Sequence, residues 1–371
     1  MYIKEFTLQQ HTPIIHFQGN ETGATLRASE VKPKLDRFII KELGGFEKVK
    51  AEHPEWFANK RHRALDYALS FLSINYQKVL IEENHKNAPM YFGNMGEDTK
   101  DKHLVFSEGV KGKIACKDNP LLSEITSKLP EFFFRNNFGT RQSKGYGSFT
   151  LKNSALNPKV YKYHFSIDNL ENNIEEDYKK IMSNIDWFYQ SLRSGFNLNI
   201  RGNRIYLKPA IFHYLNKNGI VWDKRSIKEA YFNNNIPKNR KNHKDLFGLS
   251  TTEKWGRNLT ITKKDVQKTI TRFKSPILFK PIYSGNSAMV YFDYFEPEYI
   301  NDYRGSKFNI QANERSGLVL EIPNDFNFDV FFNHAFSNDL GPLIEGGDNG
   351  FPKTLRKALI AIYSQLQKQL S

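Results

Sequence analysis

Cysteine is nearly absent: Cys116 is the single one in 371 residues. That excludes an internal disulfide and any zinc site built on several thiolates. Cys116 is expected to pack as a small apolar residue, and a reducing cytoplasm fits. No run of about eighteen apolar residues occurs, so no membrane-spanning helix is expected. The N-terminus, Met1-Tyr2-Ile3-Lys4-Glu5-Phe6, lacks the apolar core of a signal peptide. Together these absences predict a soluble, cytoplasmic protein. There is no histidine pair at metal spacing, no P-loop and no nucleophile elbow, so neither a metal nor a cofactor is expected. Acidic residues are also scarce: 40 Asp and Glu face 54 Lys and Arg, a net charge of +14. Such an excess repels itself unless a polyanion shares the surface, and nucleic acid is the expected partner.

What is abundant is aromatic. Thirty Phe and 18 Tyr can build sizeable cores, and the length is comfortable for two domains. A change of composition near Tyr161 divides the chain into 1–160 and 161–371. The first part ends in a dense stretch, Gly139-Thr140-Arg141-Gln142-Ser143-Lys144-Gly145-Tyr146-Gly147-Ser148. Glycine permits positive φ, where successive N–H groups can converge on an anion. Arg141 and Lys144 would add charge at the rim, and Tyr146, between Gly145 and Gly147, would stack on a base. The alternative is a hairpin loop in which glycine only turns the chain.

Periodicity supplies the elements. Alternation from Tyr2 to Leu8 predicts a strand, which runs into Thr12-Pro13-Ile14-Ile15-His16. Ser29 is expected to cap a helix with Val31, Leu35, Phe38 and Ile39 on one face, and Pro33 is tolerable only in its first turn. Arg27, Lys32, Lys34 and Arg37 crowd the helix entrance, where free N–H groups favour an anion. The spacing of Leu65, Leu69, Leu72, Tyr76 and Leu80 predicts a long helix over 64–81 with that stripe in the core. A short helix over 119–129 is expected to stop at Pro130. Alternation of Tyr161, Tyr163 and Phe165 predicts a strand. A helix over 169–193 is stopped by Gly195. Strands follow near 273–281, 289–295 and 318–322, and an amphipathic helix over 353–370. Lys238, Arg240, Lys241 and Lys244 read as an exposed basic loop.

These pieces together resemble the RAMP superfamily of CRISPR-associated proteins. The carriers are Thr12-Pro13-Ile14-Ile15-His16, the basic segment from Leu26 to Arg37 and the glycine stretch from Gly139 to Ser148. The resemblance maps Arg27, Lys32 and Arg37 onto the family's cations; Pro33 stands where the family usually has glycine. Length and loop position look most like the single-copy RAMP subunit of type III-B (Cmr) complexes. The resemblance implies an α+β fold of ferredoxin-like (RRM-like) domains, antiparallel sheets with packed helices. It implies single-stranded RNA (guide, target or both) and other effector-complex subunits as partners, with no membrane. The expected RNA-binding residues are His16, Arg27, Lys32, Lys34, Arg37, Gly139, Arg141, Lys144, Gly145, Tyr146, Gly147, Ser148, Lys238, Arg240, Lys241 and Lys244. The leading reading is a non-catalytic RNA-binding subunit of an effector ribonucleoprotein in antiviral defence. The alternative is a metal-independent endoribonuclease processing guide precursors, with His16 as base. Asp36 reads as a salt-bridge partner.

Overall fold

The structure is a computed structural model that describes residues 1–16, 25–59, 63–82, 86–90, 102–200, 203–232, 240–255, 259–296, 300–313, 315–337 and 352–370. It divides into two units, 1–183 with 279–292 and 184–278 with 293–371.

In the first unit, β1 (Tyr2–Gln10) buries Leu8 and Gln10 on one face. Helix α1 (Ala28–Glu42) buries Val31, Leu35 and Ile39, the i, i+4, i+8 stripe of an amphipathic helix. The cap is two residues earlier than the sequence implied. Arg27, with extended backbone, holds the N-cap position, and its carbonyl accepts from the N–H groups of Glu30 (3.1 Å) and Val31 (3.0 Å). Ser29 lies inside the first turn, and Pro33 lies beyond it, in the helix interior with its ring exposed. The short helix α2 (Phe46–Glu52) follows, then β2 (Tyr67–Leu80), β3 (His103–Cys116), helix α3 (Asn119–Arg135) and β4 (Phe149–Leu151).

The sheet order is β2-β3-β1-β4, every neighbour antiparallel. A β-α-β-β-α-β chain with that order is the ferredoxin-like split βαβ fold. One face of the sheet packs on α1 and α3, where Leu8, Val110, Ile114, Leu35, Ile39, Ile125, Leu129, Phe132 and Phe133 share one core.

Two elements differ from the sequence expectation. Residues 67–80 form a strand, not a helix. Tyr67, Leu69 and Phe71 alternate onto the core face, whereas Leu72, Tyr76 and Leu80 of the supposed core stripe are exposed. Pairing with β3 along the whole of β2 overrides the helical spacing. Helix α3 runs through Pro130 to Arg135. Asp118 caps it, accepting from Leu121 N at 2.6 Å. Burial of Phe132, Phe133 and Phe134 in its last turns outweighs the lost donor at the proline.

The chain continues through β5 (Tyr163–Asp168), α4 (Ile174–Arg193), the hairpin β6 (Phe196–Ile200) and β7 (Asn203–Leu207), α5 (Ala210–Lys217), α6 (Asp223–Phe232), β8 (Thr252–Trp255) and β9 (Leu259–Asp265). Then come β10 (Ile277–Tyr283), β11 (Ser287–Tyr294), α7 (Ile300–Tyr303), β12 (Lys307–Ala312), β13 (Arg315–Glu321), α8 (Phe328–Ser337) and α9 (Lys353–Gln367). A three-stranded sheet has the order β10-β11-β5, the arrangement already seen in β2-β3-β1. In the second unit a sheet β13-β12-β9-β8 accompanies α8 and α9. Phe332, Phe336, Leu359, Ile362 and Tyr363 of these helices are buried. No described helix is long and apolar enough to cross a membrane.

Candidate nucleic-acid interface

The glycine stretch joins α3 to β4. Gly139, Arg141, Gly145 and Gly147 take positive φ of 81°, 55°, 95° and 66°, around a 3-10 turn over Gln142–Lys144. The backbone is contorted as an anion nest would require, but its donors point into protein. Gly139 N donates to Glu30 Oε1 (2.9 Å), Thr140 N to Ile15 O (2.7 Å), Gly147 N to Pro13 O (2.9 Å) and Ser148 N to Thr12 Oγ1 (3.0 Å). Lys144 N and Gly145 N close the turn on Arg141 O and Gln142 O. The glycines serve close approach. A Cβ on Gly147 would lie 2.0 Å from Phe138 O, and one on Gly139 2.5 Å from Ile15 O. Tyr146 is fully buried and its hydroxyl donates to Pro89 O at 2.6 Å. The expected phosphate nest with a stacking tyrosine is therefore corrected: the ring offers no free face, and Lys144 and Ser148 are buried with it.

The stretch instead helps to seat β10. At alternate residues of that strand, Asn137 Nδ2 donates to Phe279 O (2.7 Å), Ser148 Oγ donates to Pro281 O (2.7 Å), and Tyr283 N donates to His11 Nδ1 (3.1 Å). Lys280, between them, is completely buried. Its ammonium donates to Phe133 O (2.7 Å), Asn136 O (2.8 Å), Phe149 O (2.9 Å) and, more loosely, Asn137 Oδ1 (3.2 Å). Burial holds the Lys280 pKa well below the usual lysine range. His11 is lowered to about 3, first by burial and then by the Lys280 charge. A neutral His11 that accepts at Nδ1 carries its proton on Nε2, which donates to Thr150 Oγ1 at 2.7 Å. Nothing in the sequence singled out Lys280, because its acceptors come from segments more than a hundred residues away.

The cations at the start of α1 are largely engaged in structure. Lys32 Nζ lies 2.8 Å from Asp36 Oδ2 and 2.9 Å from Leu65 O, above the Tyr67 ring. Burial raises the Asp36 pKa, and the Lys32 contact opposes that rise. Lys34 Nζ reaches Glu30 Oε1 (3.0 Å) and Gln142 Oε1 (2.9 Å). These lysines are held by their own helix and its neighbours rather than standing free at the helix entrance. Arg27 is half-buried, His16 is buried, and Arg37 is exposed with Nε donating to Pro33 O.

The basic loop also differs from expectation. Lys238 lies outside the described residues. Arg240 is exposed. Lys241 pairs with Glu321, and Lys244 Nζ lies 2.7 Å from Glu253 Oε2. Lys263, buried, bridges Glu253 Oε1 (2.7 Å) and Asp245 Oδ2 (2.6 Å). Burial lowers the Lys244 pKa, with Glu253 opposing, and the two lysines hold Glu253 below the usual carboxylate range despite its burial. With Asn242 and His243 buried as well, residues 241–247 are a folded, ion-paired turn. Sequence reading saw the cations but not the carboxylates that fold onto them. Among the described residues no group of three or more His, Cys, Asp or Glu could hold a metal ion.

A family model described as the Cmr1 N-terminal domain matches residues 1–196, and one described as the Cmr1 C-terminal domain matches residues 206–345. No curated protein matches. Among solved structures, similarity is found to the crystal structure of Cmr1 from Pyrococcus furiosus (apo form), at 12% identity over 80% of this chain and 90% of that one, with a TM-score of 0.40. A chain of the cryo-EM structure of the type III-B Cmr-beta bound to cognate target RNA aligns at 16% identity over 40% of this chain, with a TM-score of 0.26; the match spans 58% of that chain. A structure described as a RAMP protein binding different RNA substrates aligns at 13% identity over 86% of this chain and 98% of that one, with a TM-score of 0.20. The family models carry the assignment.

Proposed function

Because the chain belongs to the Cmr1 family, the RAMP proteins of type III-B CRISPR systems, we propose that it is a non-catalytic, RNA-binding subunit of the effector ribonucleoprotein. The observation that carries this reading is the match of both domain models along the chain, joined to a net charge of +14. Its partners are single-stranded RNA, as guide, target or both, and the other subunits of the complex in the cytoplasm. Residues 1–160 and 161–371 are two successive RAMP modules; the recurrence of the β2-β3-β1 order in β10-β11-β5 supports that division. Of the residues expected to meet RNA, Arg37 and Arg240 are exposed and Arg141 and Lys241 half-exposed.

The test is RNA binding by the purified full chain across a salt series. Each phosphate neutralised on a single strand contributes about −0.7 to the slope of log K against log salt. A steep negative slope is expected, with no cleavage of a repeat-containing transcript. A flat slope refutes RNA binding. Specific cleavage abolished by His16→Ala refutes the non-catalytic reading.

A further inference from the structure

We propose that the face of the β2-β3-β1-β4 sheet turned away from α1 and α3 is a platform for single-stranded RNA. This rests on the functional reading above and names the surface that performs it. None of the residues involved was singled out for it by the sequence, because β2 was expected to be a helix.

Two glycines of β3 distinguish the two faces. A Cβ on Gly112 would enter the Phe6 ring (2.2 Å), and that ring packs against Phe133 of α3. A Cβ on Gly109 would point the other way, toward Ile74 Cδ1 (3.6 Å) and Thr7 Cγ2 (3.8 Å). The strand register carries this outer face along the sheet. Ile74 pairs with Gly109, Leu72 and Thr7 flank Lys111, Ser70 and Glu5 flank Lys113, and Ala68 and Ile3 flank Ala115. Tyr76, paired with Ser107, follows Asn75, whose φ of 42° interrupts the alternation at the end of this stretch. Ile3 is 54% exposed, Leu72 68% and Tyr76 44%; Ala68, Ser70, Lys111 and Lys113 are exposed too.

Charge decides what covers this face. Lys111 and Lys113 stand two residues apart on the strand between β2 and β1, a spacing of about 6.8 Å. Among the described residues neither ammonium makes an ion pair or a hydrogen bond, unlike those of Lys32, Lys34 and Lys244. Glu5 is the carboxylate that the register sets beside them, opposite Lys113. Protein interfaces exclude lysine from their centre. Here two lysines are central, Leu72 flanks one of them, and Ile3, Ala68 and Ala115 lie farther along the same face. That is the pattern for a single strand, whose phosphates meet cations and whose bases lie on aromatic and aliphatic surface.

The experiment compares the full chain with Lys111→Ala/Lys113→Ala and with Tyr76→Ala. Binding of a labelled oligouridylate is read by fluorescence anisotropy over a salt series. The double lysine variant should weaken binding and flatten the slope by about 1.4, two phosphates' worth. Tyr76→Ala should weaken binding roughly fivefold or more at an unchanged slope, since it removes stacking and no charge. Lys111→Arg/Lys113→Arg should restore the slope, which separates lost charge from any damage to folding. If the wild-type chain binds with a steep slope and all variants match it, this proposal fails alone. If the wild-type chain shows no salt-dependent binding, the functional reading fails with it. Variants that keep wild-type RNA binding but no longer copurify with the complex would make the face a protein interface and overturn the proposal.

Discussion

Replacing Gly147 by alanine should destabilise the first unit by about 3–4 kcal/mol. The residue has φ 66°, a conformation that costs an L residue roughly 1–2 kcal/mol. The added Cβ would lie 2.0 Å from Phe138 O. That overlap is with backbone and can be relieved only by parting the two strands of the loop. The bonds from Phe138 N to Gly147 O (3.0 Å) and from Gly147 N to Pro13 O (2.9 Å) would then be lost or stretched, at about 1 kcal/mol each. Gly219 is the control. Its φ is 70°, and nothing lies within 4 Å of the Cβ position, so Gly219→Ala should show the conformational cost alone, about 1–2 kcal/mol. Urea titrations give both values, each read in the transition of the unit that carries the residue, with m unchanged. Equal losses for the two variants would refute the close-approach reasoning. So would a Gly147→Ala protein that keeps its urea midpoint and loses RNA affinity, since that outcome makes the loop an anion site.

Three further outcomes follow from buried polar groups. Burial lifts Asp223 to about 6 from 3.8, so the folded chain holds this proton more tightly than the unfolded one. Stability is then complete below about pH 4 and falls as the pH rises to about 6; Asp223→Asn should add up to about 3 kcal/mol at neutral pH and nothing in acid, and an equal gain at both would refute it. Lys280→Met leaves the oxygens of Phe133, Asn136, Asn137 and Phe149 without their donor and should remove about 3 kcal/mol or more in a urea titration; an unchanged midpoint would overturn the clamp. Tyr146→Phe removes the bond to Pro89 O and should lower stability by about 1 kcal/mol while leaving RNA affinity intact; selective loss of affinity would contradict its burial.

Where periodicity and burial coincide, the fold was legible in the sequence. Val31, Leu35 and Ile39 mark α1, Tyr163 and Phe165 mark β5, and Leu355, Leu359, Ile362 and Leu366 mark α9. Residues 64–81 misled because leucines three and four apart fit a helix. Leu69 packs against the core while Leu72, Tyr76 and Leu80 are exposed, a distinction visible only once β3 pairs alongside. Pro130 misled because its local penalty was weighed without the three phenylalanines that α3 buries beyond it. The chain's positive φ at 139, 145 and 147 was legible as glycine, but the reason was not: the crowding atoms, Ile15 O and Phe138 O, are set by tertiary folding.

The lysines show why a charge count does not locate a binding site. Lys32 and Lys34 each have an acid four residues away on α1, Asp36 after the first and Glu30 before the second, so their pairing was within reach of the sequence. Lys244 finds Glu253 only after the turn folds. Lys111 and Lys113 looked ordinary, two lysines in an alternating run. A strand places both on one side, and pairing inside the sheet fixes which side. A cation that folding has not neutralised is the one left to attract a phosphate. Dense charge on a helix also brings its own counter-charge, as Asp36 does for Lys32 and Glu30 for Lys34.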